Sequence, residues 1–151
     1  MKSKLLLALL TVALTGSAVA QVKPEDAIKY RQSGYVFMGW NMGRIKANVE
    51  GQYNKDEVIK AANAIQAIAN SGMGALYLPG TDKGKGWEET RAKPEIWTDK
   101  EKMGKVATDF VREANEMAKV AATGDAAAVK MQLGKLGGTC KGCHDDFKVK
   151  K

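Results

Sequence analysis

Both cysteines and the only histidine of this 151-residue chain fall in one pentapeptide, Cys140-Lys141-Gly142-Cys143-His144. On a helix, Cys140 and Cys143 stand about one turn apart on one face, and His144, four residues after Cys140, lies on the same side. Two thiols and an imidazole at this spacing suit covalent attachment of haem. Each thiol adds to one vinyl group, and the imidazole takes one axial position on the iron. A zinc site needs four ligands, and no further Cys or His completes one. A dithiol redox pair of the thioredoxin kind belongs near a βαβ pattern, which the sequence lacks. A disulfide beside an incidental histidine is the remaining reading. It fits poorly with a chain that spends its whole Cys and His content on five residues. The run therefore reads as the attachment site of a single haem c.

The N-terminus agrees. Met1-Lys2-Ser3-Lys4 is short and basic, Leu5 to Leu14 is apolar, and Ala18-Val19-Ala20 is a small-residue cleavage site. Residues 1–20 thus read as a secretory signal peptide, with a mature domain at 21–151. Haem is attached to such motifs outside the bacterial cytoplasm, so the expected location is the periplasm. No other apolar run is long enough to insert in a membrane. The formal charge of +7 becomes +5 without Lys2 and Lys4, a mild excess that solubility explains. No basic cluster is interleaved with aromatics, so nucleic acid is not an expected partner. The tail from Lys148 to Lys151 reads as a solvated helix end.

Helical periodicity fills most of the mature chain. Pro24 with Glu25 and Asp26 is a helix start. Ile28, Arg31, Tyr35, Met38, Met42, Ile45 and Val49 then recur at three- and four-residue steps, the seam of a bundle helix. Asn54, with Glu57 three residues on, caps a second helix carrying Val58, Ala61, Ala62, Ile65 and Ile68. Residues 73 to 97 show no period and hold Gly74, Pro79, Gly80, Gly84, Gly86 and Pro94, which reads as a cover over one end of the bundle and a cofactor edge. Thr98 and Glu101 form a capping box for a third helix that runs to Thr123. Gly124 stops it and Asp125 caps a fourth, which is expected to bury Val129, Leu133, Leu136, Cys140, Cys143 and Phe147. The fold class is all-α: an antiparallel four-helix bundle with covalently bound haem near the C-terminus.

Common electron-carrier cytochromes place the haem motif near the N-terminus, with a Met ligand far downstream; here the order is reversed. With no second histidine, the other face of the iron has six mature methionines, a Lys, a Tyr or an open position. Met38 and Met42 are the methionines best placed on the first helix, although Met at helical spacing is usually core filler.

Several segments resemble the cytochrome c′ family, or class II c-type cytochromes, and in particular its branch from purple sulfur bacteria. They are Arg31-Gln32-Ser33-Gly34-Tyr35, Phe37-Met38-Gly39-Trp40-Asn41-Met42-Gly43, Ala67-Ile68-Ala69-Asn70-Ser71-Gly72-Met73-Gly74 and Pro94-Glu95-Ile96-Trp97. The resemblance implies a periplasmic homodimer formed through the first two helices, with a five-coordinate, high-spin haem iron that binds nitric oxide and carbon monoxide. By resemblance, Cys140 and Cys143 carry the haem and His144 is the axial ligand. Tyr35 is the bulky cover of the open face, where low-spin relatives have a ligating Met. Arg31 would meet a haem propionate, since a buried arginine needs a negative partner. Gln32, Thr90 and Arg91 would touch the haem edge. Lys148 lies on the proximal side, where many members have Arg, which lacks the point-like flexibility of Lys.

Two functions compete on these grounds. The first is binding of diatomic gases, with a role in nitric oxide tolerance; the second is periplasmic electron transfer with an unknown redox partner. An enzyme such as a peroxidase is disfavoured, because no distal His or Arg is evident to assist O–O cleavage.

Overall fold

The structure is a computed structural model and describes residues 22–150; the signal segment expected at 1–20 lies outside them. Helix α1 (Pro24–Glu50) opens with Pro24, whose missing N–H and fixed φ suit the first turn, and with Glu25 and Asp26 facing the positive helix end. Helix α2 (Lys55–Ala69) is capped as expected: Asn54 Oδ1 accepts from Glu57 N–H at 3.2 Å. A 3₁₀ turn (Met73–Leu76) and a one-turn helix α3 (Glu95–Thr98) punctuate the long connection. Helices α4 (Lys100–Thr123) and α5 (Ala126–Phe147) follow. No strand forms among the described residues, only isolated bridges at Lys85–Glu89 and Ala92–Lys148.

Short turns make α1/α2 and α4/α5 antiparallel hairpins. Cross-helix bonds fix α2 against α4 in the same sense. Lys55, at the start of α2, reaches the carbonyl of Thr123 at the end of α4 (3.4 Å), while Gln66 donates to Asn115 (3.0 Å). The hairpin turn between α4 and α5 needs Gly124, whose φ is +82° and where a Cβ would lie 2.8 Å from Lys55 Cδ. Asp125 then accepts from the N–H groups of Ala127 and Ala128. The four long helices enclose a core of Ile45, Val58, Ala61, Ile65, Ala114, Met117, Ala121, Val129 and Leu136, all fully buried.

Three local expectations are corrected. Thr98 is not the cap of α4. It closes α3, and Asp99 takes the role, with Oδ1 accepting from Lys102 N–H at 3.1 Å. Both residues have the right chemistry, but the turn of α3 sends the Asp99 N–H back to Glu95 and leaves its side chain over the free donors. Asp99→Ala should therefore lower unfolding free energy by about 1 kcal/mol, while Thr98→Ala should change it by a few tenths at most. Guanidinium unfolding of both variants checks this.

Second, Lys148 does not continue α5. Its backbone is extended (φ −124°, ψ 130°), because the chain leaves the helix to pair with the long connection. Lys93 N–H donates to Phe147 O and Val149 N–H to Arg91 O, each at 2.9 Å.

Third, Cys140 and Cys143 are half-buried, not buried. They face a cavity, not the packed core.

Candidate functional site

The core fills only the half of the bundle near the hairpin turns. In the other half the helices part around a cavity of about 750 Å³, within the range of roughly 300–1,000 Å³ usual for small-molecule and cofactor sites. The long connection closes this end, as expected of a cover. Two consecutive α1 side chains fasten it. Arg31 donates to Leu76 O (3.0 Å), Thr81 Oγ1 (2.6 Å) and Thr81 O (2.9 Å). Gln32 accepts from Trp87 N–H (2.7 Å) and donates to Glu88 O (2.9 Å). Between these anchors the chain passes so near α1 that a Cβ on Gly86 would lie 2.5 Å from Gln32 Oε1 and 2.8 Å from Lys29 N. Only glycine fits that approach.

All nine site residues singled out from the sequence line this one cavity: Arg31, Gln32 and Tyr35 from α1, Thr90 and Arg91 from the connection, Cys140, Cys143 and His144 from α5, and Lys148 just after it. Met38 and Met42 are on the wall as well, Met38 being part of the buried core cluster. The apolar remainder includes Ile28, Ile68, Met73, Ile96, Met103, Val106, Phe110 and Phe147.

The electrostatics of the wall are set by burial. Burial pushes both thiols above the ordinary cysteine range, and Cys143 is pushed further by Cys140 and Asp146. His144 is lowered, first by burial and then by the positive charges of Lys148 and Arg91. That favours the neutral imidazole, the form able to ligate a metal. Arg31 is 4 % exposed, and burial lowers its pKa. Its hydrogen bonds go to neutral oxygens of Leu76, Thr81 and, at 3.5 Å, Thr90. It forms no salt bridge with any described carboxylate. A buried cation facing a cavity without an anionic partner suits an anionic occupant.

Tyr35 is 41 % exposed, yet burial and its neighbour Tyr77 hold its phenol pKa well above the usual range. Tyr35 lines the cavity, and its hydroxyl is bonded to Tyr77 Oη at 2.8 Å. Tyr77 is the site residue that sequence reasoning missed. It lies in an aperiodic segment, where nothing local marks an aromatic as inward-facing. Gln32 and Thr90 hold the connection as well as lining the cavity: Thr90 Oγ1 lies 3.4 Å from Thr81 O and accepts from Ala92 N–H at 3.3 Å.

Two half-buried thiols and an imidazole on one α5 wall, an apolar chamber of this size and a buried arginine fit a covalently held, propionate-bearing haem. The model of the family Cytochrome C' matches residues 26–148. The cytochrome c′ of Rhodocyclus tenuis is 64% identical over 129 residues, covering 85% of this chain and 97% of its own length. A solved cytochrome c′ described as having an unusual ligand-controlled dimer dissociation is 57% identical with a TM-score of 0.84, covering 87% of this chain and all of its own. A ferrous variant of the Alcaligenes xylosoxidans protein with bound NO is 32% identical with a TM-score of 0.76, covering 86% of this chain and 98% of its own. The helix that carries the attachment motif, the bundle around it and the cavity it faces all lie inside the matched residues: the chain belongs to the cytochrome c′ family, which carries a covalently attached haem c.

Proposed function

We propose that residues 21–151 form a periplasmic, gas-binding haem protein. Cys140 and Cys143 would hold the haem through thioethers, and His144 would ligate its iron. Nitric oxide and carbon monoxide would enter the cavity past Tyr35. The haem supplies the iron at which a diatomic gas coordinates; the chain decides which positions on that iron are filled.

One observation carries this reading: Tyr35 lines the cavity with its hydroxyl tied to Tyr77 Oη at 2.8 Å. With its oxygen engaged by the connection and its side chain on the cavity wall, Tyr35 covers without coordinating. His144, on α5 beside the two thiols, would ligate the iron, and the sequence holds no second histidine. Arg31 balances a propionate from its place on the α1 seam, with Gln32, Thr90 and Arg91 at the haem edge and Lys148 on the proximal side. The NO held by the Alcaligenes xylosoxidans relative supports the same chemistry here. Gas uptake without turnover makes this a binding protein, not an enzyme, with nitric oxide tolerance as its cellular role.

Assembly as a homodimer through α1 and α2 belongs to the same reading. Val36 (73 % exposed), Phe37 and Trp40 (55 %) form an outward apolar ridge on α1, with Phe37 and Trp40 stacked at 5.4 Å. Arg44 lies over Trp40 at 4.8 Å and is ion-paired with Glu57 of α2, which joins the two helices into one surface. Gly39 and Gly43 lie on the same helix with no atom within 4 Å of where a Cβ would stand, so a partner can approach closely.

Electron transfer is the second reading, supported by the methionines Met38 and Met42 on the cavity wall. The absorption spectrum of the reduced protein separates the two. Gas binding predicts high-spin features that shift when carbon monoxide is added. A sharp low-spin spectrum indifferent to carbon monoxide would replace it with the electron-carrier reading.

A further inference from the structure

We infer that Tyr77 is the latch of the distal gate: its hydroxyl holds the Tyr35 ring in place, so that breaking one phenol–phenol hydrogen bond is part of admitting every gas molecule. The inference rests on the gas-binding reading above and adds to it a second residue, from a different element.

The two tyrosines differ in how firmly they are held. Tyr77 is held at its backbone and at one face of its ring. Its N–H donates to Gly74 O at 3.1 Å, its carbonyl accepts from Trp97 Nε1 at 3.0 Å, and its ring faces the Arg31 guanidinium at 4.6 Å. Arg31 is in turn bonded to Leu76 and Thr81 on the same stretch of chain. Moving Tyr77 would therefore disturb a buried cation and its neutral acceptors together. The Tyr35 side chain has one hydrogen bond among the described residues, the 2.8 Å bond to Tyr77, and it lines the cavity. A gas that needs the space under Tyr35 will rotate the loosely held ring away from the fixed post. The bond between them is what such a rotation breaks first.

A net hydrogen bond of ordinary strength corresponds to about a three- to tenfold change in an equilibrium constant. Tyr77→Phe keeps the ring that faces Arg31 and removes only the latch. It should raise carbon monoxide affinity of the reduced holoprotein about three- to tenfold. Tyr35→Phe should do the same from the other side, and the double variant should add nothing beyond either single change. A second readout needs no gas. In denaturant unfolding of the oxidised protein, the two single substitutions should be non-additive by a similar factor, as partners in one bond are.

Tyr35→Ala is the control for the underlying reading. If it leaves carbon monoxide affinity unchanged, Tyr35 is no gate and the latch falls with it. If Tyr35→Ala raises affinity while Tyr77→Phe does not, the gate stands and the latch is overturned. If the two phenylalanine variants prove additive in unfolding, Tyr77 serves only to anchor its own segment, and the inference is likewise overturned.

Discussion

Replacing Tyr35 with alanine should raise the carbon monoxide affinity of the reduced protein about a hundredfold. On the proposed reading an incoming ligand would have to move the ring off its site, and two contributions would set the penalty. The hydrogen bond to Tyr77 is worth about 1 kcal/mol net, and the contacts of a half-buried ring are worth another 1–2 kcal/mol, less than the 3–5 kcal/mol lost on truncating a large aromatic in a closed core. A total of about 2–3 kcal/mol corresponds to roughly 30- to 150-fold in binding. The alanine variant carries no ring to displace, so the whole penalty returns as affinity. Titration of the reduced protein with carbon monoxide measures it, and the unfolding transition of the ligand-free variant guards against a general loosening. Unchanged affinity would mean that the ring does not stand over the binding position at all.

Tyr35 could be singled out from the sequence, and it lines the cavity; how it is held could not be read there. The seam of α1, the caps at Asn54 and Asp125 and the stop at Gly124 are local signals, each decided by a few neighbouring residues, and each is found where local chemistry puts it. Thr98 and Asp99 show the limit of such signals. Adjacent residues offered equivalent oxygens, and a single turn of α3, itself too short to leave a period, chose between them. The connection from 73 to 97 could be recognised as a cover by its lack of period, but what fastens it could not. Its anchors, Arg31 and Gln32, lie 45 to 59 residues away in the chain. Tyr77 and Trp87 reach the cavity only because those anchors pull their segment across it.

The same distance effect explains how Cys140, Cys143 and Lys148 read in the sequence. Cys140 and Cys143 continue the apolar period of α5, so they read as core. The core ends near Leu136, and beyond it the same helix face meets the cavity instead of another helix. Lys148 stands four residues after His144 and reads as the next turn, until Ala92 offers the backbone an extended partner. Asn41 is a buried polar residue inside the apolar face of α1. It satisfies itself locally by donating to Phe37 O at 2.9 Å, a contact that hydrophobic periodicity does not anticipate.

Carbon monoxide should also weaken the dimer, and the size of the two effects is linked. Val36 is the point of contact between them: it borders the cavity next to Tyr35, and it is the most exposed apolar residue of the α1 ridge. A Tyr35 ring displaced by the ligand would press on the helix that presents this ridge, so the ligand-bound protomer would meet its partner less well. Thermodynamic reciprocity then fixes the arithmetic. If a free protomer binds the gas more tightly than a protomer within the dimer by a factor α, saturating gas raises the dimer dissociation constant by α squared, because two sites are filled per dimer. Coupling between sites is typically about 5- to 150-fold; a modest α of about ten already gives a hundredfold rise. Sedimentation of the reduced protein over a range of concentrations, with and without carbon monoxide, reads that rise directly. In Tyr35→Ala the dissociation constant should respond far less to the gas, since no ring remains to move the helix. Equal dissociation constants with and without carbon monoxide in the native protein would uncouple the two surfaces and leave Tyr35 a purely local gate.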